Sequence, residues 1–204
     1  MDDFEKFLNE DYSFDSSPRE IASIHEAGHA IIYHLMNCSI DSINIHDNGD
    51  GIVNCPVYTP RSFLKSPDTL DIEMYNYGLL CFSGYIAESK FSDLVLDIGH
   101  LYDLKDVQEG NDFTDYRDEM EFVNYKIDEE KFDFDYFENI YNETDTLINN
   151  DLIWKAINKL SEELIKDEDG MLLGYRVHEI LNEYIPRDNI QKVYGVPIDF
   201  SFMD

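Results

Sequence analysis

The stretch Ser17-Pro18-Arg19-Glu20-Ile21-Ala22-Ser23-Ile24-His25-Glu26-Ala27-Gly28-His29-Ala30-Ile31 decides the fold. Ser17 is a helix N-cap, Pro18 takes the first helical position, and Glu20 closes a capping box. Ile21, Ile24, Ile31 and Leu35 follow at helical spacing and make a core-facing stripe, with the helix ending near Asn37. His25 and His29 lie four apart, so their imidazoles leave one face of that helix and can share a single metal ion. Glu26 stands beside them, placed to take a proton from a water without being a ligand. This is the H-E-x-x-H pattern of zinc hydrolases. Gly28 adds to it, because a mid-helix glycine costs about 1 kcal/mol against alanine and calls for a packing or functional reason.

Outward from this helix, Ile43 and Ile45 alternate with Asn44 and His46 as in a half-buried strand. Asp47-Asn48-Gly49-Asp50-Gly51 is turn chemistry, and Ile52-Val53-Asn54-Cys55 reads as the returning strand. Pro56 puts that strand at a sheet edge. Ser66-Pro67 repeats the cap-plus-proline signal, and the helix from Asp68 to about Ser92 is apolar nearly all round (Ile72, Tyr75, Leu79, Phe82, Ile86), as a central helix is. Asp93–Glu109 is acidic and weakly periodic, a surface excursion. A helix starts near Asp112, with Phe113, Tyr116, Met120 and Val123 on one side. Two more run from about Asp135 to Leu147 and from about Asp151 to Ile165. The second of these should bury Leu152, Ile153, Ala156, Leu160 and Leu164, and Gly170 ends it. A short last helix spans Leu173 to Tyr184. The expected fold is mainly α with a small β-sheet or hairpin. Residues 1–16 read as an acidic arm, 17–184 as one domain and 185–204 as a tail.

Composition narrows the function classes. The 204 residues carry 15 Lys+Arg against 44 Asp+Glu, a formal net charge of -29, which repels nucleic-acid phosphates and anionic membranes and attracts basic partners. At 43% hydrophobic and 14% aromatic residues the chain can bury a core, so it is not a disordered acidic tail. Cys38, Cys55 and Cys81 form no C-x-x-C pair, which fits inert thiols in a reducing compartment better than a disulfide framework. Met1-Asp2-Asp3-Phe4-Glu5 is not a signal peptide, and no apolar run approaches a membrane span of roughly 20 residues. The expected location is cytoplasmic.

Ile24-His25-Glu26-Ala27-Gly28-His29-Ala30 resembles the H-E-A-G-H helix of the FtsH-type metallopeptidases, the proteolytic halves of membrane-anchored AAA+ proteases. Ile43-Asn44-Ile45 with Gly49 and Gly51 is similar to the strand and glycine turn that follow the motif in that family. Phe82-Ser83-Gly84-Tyr85-Ile86-Ala87-Glu88 resembles its G-G-x-x-A-E segment, with Ser83 at the first glycine. Gly110-Asn111-Asp112-Phe113 resembles the segment that supplies the third zinc ligand, and Trp154 to Leu181 resembles the closing helices. The resemblance covers about Pro18 to Tyr184. It implies one Zn2+ per chain held by His25, His29 and Asp112, with Glu26 as the catalytic base. Asp115, in Thr114-Asp115-Tyr116, offers the same acid-then-apolar step and stays open as the third ligand.

The sequence holds no G-K-[ST] phosphate loop, so the expected activity is a zinc endopeptidase that is ATP-independent by itself, its site reached by diffusion or through a separate ATPase or oligomeric partner. Its substrate would be unfolded or extended polypeptide, with a bias toward basic segments. No nucleic-acid or membrane partner is expected. The rival readings are a non-catalytic acidic binding protein or DNA mimic on a peptidase scaffold, and another H-E-x-x-H lineage whose third ligand is a later glutamate. His34, His46 and His178 read as surface or satisfied residues. His100 reads first in the same way, with folding over the site as a hydrogen-bond donor as its alternative, because it sits just before the proposed third ligand.

Overall fold

A computed structural model of the chain describes residues 16–55, 70–103, 112–128 and 131–187. The cap signals at 17–20 act as expected: the Ser17 side chain accepts from the Glu20 N–H, and the Glu20 carboxylate accepts from the Ser17 N–H at 2.6 Å. They start helix α1, Pro18–Leu35. It packs chiefly between α2 (Leu70–Phe91) on one side and α6 (Asp151–Lys166) on the other. That placement corrects the single core-facing stripe. Ala22, Ser23, Ala27, Ala30 and Ile32 are buried along with Ile24, Ile31 and Leu35, while Ile21 is only partly covered.

Small residues let the helices approach. A Cβ on Gly28 would lie 2.5 Å from the Ser83 carbonyl oxygen of α2, so the crossing of α1 and α2 requires glycine there. On the opposite side the Ser23 and Ser161 hydroxyls bond at 2.6 Å, joining α1 to α6.

The hairpin forms as expected, from β1 (Ser42–Ile45) and β2 (Gly51–Asn54), with Ile43 opposite Val53. Gly49, at φ 94, makes the turn. A third strand the sequence did not announce, β3 (Met171–Leu173), pairs antiparallel on the other side of β1, giving the order β2-β1-β3. Ile43 and Ile45 point into the core.

The remaining helices are α3 (Ile98–Asp103), α4 (Asp112–Ile127), α5 (Phe134–Ile148) and α7 (Gly174–Tyr184). Part of the proposed surface excursion is thus helical, and Leu101 from it is buried in the core. Leu152 is exposed, contrary to expectation, because it sits in the first turn of α6 while Ile153 and Ala156 take the inner face. Packing also runs past Tyr184. Ile185 is buried, its carbonyl accepts from His34 Nε2–H at 2.8 Å, and Arg187 donates to the Cys38 carbonyl. The arm at 1–15, the cap signal at 66–67 and the tail from 188 lie outside the described residues.

Candidate metal centre

Four elements converge on one cleft of about 340 Å³, with Tyr77, Leu80, Cys81 and Tyr85 of α2 along one side. Helix α1 brings His25, Glu26 and His29, the start of α4 brings Asp112, and β2 forms a wall with Gly51, Ile52 and Val53. The Nε2 atoms of His25 and His29 lie 2.8 Å apart, and Asp112 Oδ2 is 3.4 Å from the first and 3.1 Å from the second. Asp112 is held there from one turn along α4. Tyr116 is fully buried against Phe82 and Phe137, and its hydroxyl donates to the Met74 carbonyl at 3.1 Å. Asp115 is exposed and is not among the residues brought to the imidazoles.

The other ring nitrogens are occupied. His25 Nδ1 meets the Glu88 carboxylate at 2.5 Å, and His29 Nδ1 donates to the Leu80 carbonyl at 2.9 Å. With both Nδ1 atoms engaged in this way, both Nε2 atoms face the same point as Asp112 Oδ2 and are the nitrogens left for a ligand. Three such donors could hold a metal ion between them. Among the described residues, His25, His29 and Asp112 are the one group that could hold a metal ion.

Glu88 is a site residue that the sequence places in a motif without giving it a task. It is legible as part of Ala87-Glu88 on a buried helix, but its partner lies 63 residues away. Gly84 shares this reason: a Cβ there would fall 2.6 Å from His25 Nε2, so glycine makes the room the imidazole occupies.

Charge and burial oppose each other here. Burial works against a cation on His25, but the Glu88 and Asp112 carboxylates outweigh it and hold its pKa well above the ordinary value. Burial likewise disfavours the Asp112 anion, and the two imidazoles outweigh that, leaving its carboxyl far below the usual range. Glu26 is buried, and its pKa is raised by desolvation despite the two histidines. It lines the same cleft, beneath β2, where a Cβ on Gly51 would come within 2.5 Å of its Cγ.

The remaining histidines are satisfied or exposed, as expected. His34 is fully buried and bonds Ile185 and His178, His178 Nε2 accepts from the Ile40 N–H at 3.2 Å, and His46 is exposed. His100 lies on α3, and its side chain is outside the described residues. Among the described residues no helix is long and apolar enough to cross a membrane. No protein-family model matches the chain, and no curated protein matches it.

Proposed function

We propose that this chain is a zinc endopeptidase in which His25, His29 and Asp112 hold the metal and Glu26 is the general base. The observation that carries the reading is the convergence of His25 Nε2, His29 Nε2 and Asp112 Oδ2, 2.8–3.4 Å apart, beside a buried glutamate in a cleft. Two imidazoles and one carboxylate are a catalytic zinc donor set, which leaves a fourth position open. His25, His29 and Asp112 would hold the ion through Nε2, Nε2 and Oδ2, which stand 2.8, 3.1 and 3.4 Å from one another. The FtsH-type resemblance is part of the same proposal.

Zinc at this set supplies a Lewis acid that polarises a peptide carbonyl and acidifies a water toward a pKa of about 7. The chain's own residues do the rest. Glu88 and the Leu80 carbonyl fix both imidazoles with Nε2 inward. The Glu26 carboxylate accepts the proton of the attacking water and returns it to the leaving nitrogen, and its raised pKa brings it nearer the working pH for both transfers.

Strand β2 supplies the means of holding a substrate. His46 N–H donates to the Asp50 carbonyl at 2.8 Å, so by alternation Asp50, Ile52 and Asn54 bond toward β1, and the backbone groups of Gly51 and Val53 face the outer edge. An extended peptide can add to that edge main chain to main chain, which favours unfolded polypeptide of any sequence. The alternative, an acidic binding protein on the same scaffold, draws on the net charge of -29 but gives a buried Glu26 no task.

The test compares wild type with Glu26→Gln on an unfolded polypeptide. The variant should keep its zinc and lose hydrolysis by about 10²-fold or more. Equal cleavage by both, or cleavage by neither in a zinc-loaded sample, overturns the peptidase reading.

A further inference from the structure

Two of the three thiols meet at the open end of the β1–β2 hairpin. Cys38 follows α1, four residues before β1, and Cys55 directly follows β2. The Asp41 N–H donates to the Asn54 carbonyl at 2.8 Å, so the chain segments carrying the two cysteines are already clamped side by side. Cys38 Sγ donates to the Met36 carbonyl at 3.8 Å, and the Cys38 and Cys55 side chains are close enough to interact. Cys38 is buried at 2% exposure, whereas Cys55 is half-buried and reachable from outside. Cys81 is buried on the cleft wall, on α2.

We infer that Cys38 and Cys55 form a redox-active dithiol site whose substrate is a hydroperoxide, and that its oxidation bridges β2 to the end of the metal-binding helix. The division of labour follows from exposure. Cys55 is the sulfur an oxidant can reach, and Cys38 is the partner that resolves it. The Cys55 side chain, together with burial, raises the Cys38 thiol far above its ordinary value, against the opposing pull of the Arg187 guanidinium.

The chemistry balances in two steps. The Cys55 thiol gives up its proton as its sulfur attacks one oxygen of the hydroperoxide. The O–O bond breaks, the sulfur is oxidised to a sulfenic acid, and the other oxygen leaves and is protonated to water or an alcohol. The Cys38 sulfur then attacks the sulfenic sulfur, forming the S–S bond. Its S–H proton joins the departing hydroxide as water. The two thiols give up two protons and two electrons in all, and the peroxide is reduced.

The bridge has a consequence for the cleft. Gly51, Ile52 and Val53 of β2 form a cleft wall, and Cys55 is the next residue but one after Val53. A covalent tie at Cys55 would fix that wall to the end of α1, whether or not the cleft holds zinc. None of the proposed ligands is consumed.

The experiment treats reduced, full-length protein with hydrogen peroxide at neutral pH, then counts thiols under denaturing conditions and maps the linked peptides. The expected result is a fall from three titratable thiols to one, a bridge between Cys38 and Cys55, full reversal by a dithiol reductant, and a higher Tm for the oxidised form. Cys81→Ser should still form the bridge. Cys38→Ala should stop at a Cys55 sulfenic acid that a carbon nucleophile traps. Cys55→Ala, at the half-buried position, should form no bridge even if the buried variant fails to fold. Three surviving thiols in a folded sample, a bridge to Cys81 instead, or oxidation of Cys55 that never passes to Cys38 would each overturn the inference.

Discussion

At the scale of single residues, the site is governed by where a proton sits. His25 must lose one before Nε2 can bind metal. Burial opposes its charge, but Glu88 and Asp112 outweigh burial and raise its pKa well above the ordinary value of about 6.5. Zinc affinity should therefore fall as pH is lowered, with a midpoint above that value, and a competitive zinc titration across pH reads it. In the metal-free protein the same raised pKa contributes stability that is fully present below about 6.5 and is lost as pH rises through the folded pKa. Glu88→Gln removes one of the carboxylates that raise the pKa, so the midpoint should move down. It also loosens the imidazole, and plateau affinity should drop by about 10–100-fold. Asp112→Ala should weaken zinc binding far more than Asp115→Ala, since only Asp112 stands at the imidazoles. The reverse ranking would move the ligand. The histidine pair and Glu26 are legible from spacing alone. Asp112 is legible only through a resemblance, and Glu88 has no signal of its role, because no local pattern encodes a contact 63 residues away.

At the scale of elements, close approach does what side-chain chemistry cannot. Helix α1 is buried on two sides, and its crossing with α2 needs Gly28. Gly28→Ala places a methyl group 2.5 Å from a backbone oxygen that no side-chain rotation can relieve. The expected loss is about 1–3 kcal/mol of stability, read as a lower urea midpoint with unchanged slope. Gly84→Ala should act differently, displacing the His25 ring and lowering zinc affinity more than global stability. Unchanged zinc binding in that variant would mean the ring is free to move. The capped helix and the glycine-turn hairpin are readable because caps, prolines and turn glycines are local signals. Strand β3 is not. It is three residues long, follows Gly170 at φ 66, and buries only Leu172 in part, so it has no alternation to detect. The short α3 carries as little signal for the same reason, with Leu101 its one fully buried residue among the described side chains.

At the scale of the whole molecule, two ionisation properties set the working range. His34 and His178 have pKa values pulled down to about 4, His34 by burial and then by Arg187 and His178, and His178 by burial and then by Arg187. Both are held neutral in the fold, while the unfolded chain takes up protons near 6.5. The unfolded state thus binds more protons between those values, so stability should decline as pH falls from about 6.5 toward 4. Melting curves across that window check it, and His178→Asn should flatten the slope. The net charge of -29 acts over a longer range: on the proposed function it would draw basic unfolded segments toward the cleft, an attraction that should fade as salt rises. That acidic character is plain from composition alone. Composition does not show that the chain past Tyr184 packs back through Ile185 and Arg187 onto the end of α1, since a single isoleucine and a single arginine carry no periodicity.

The account's central claim is that the three donors hold zinc, and metal analysis of the purified chain after equilibration with zinc and dialysis tests it most directly. The predicted result is about one zinc per chain in wild type and in Glu26→Gln, falling to background in His29→Ala. Zinc in wild type no higher than in His29→Ala, with both proteins folded, would contradict it.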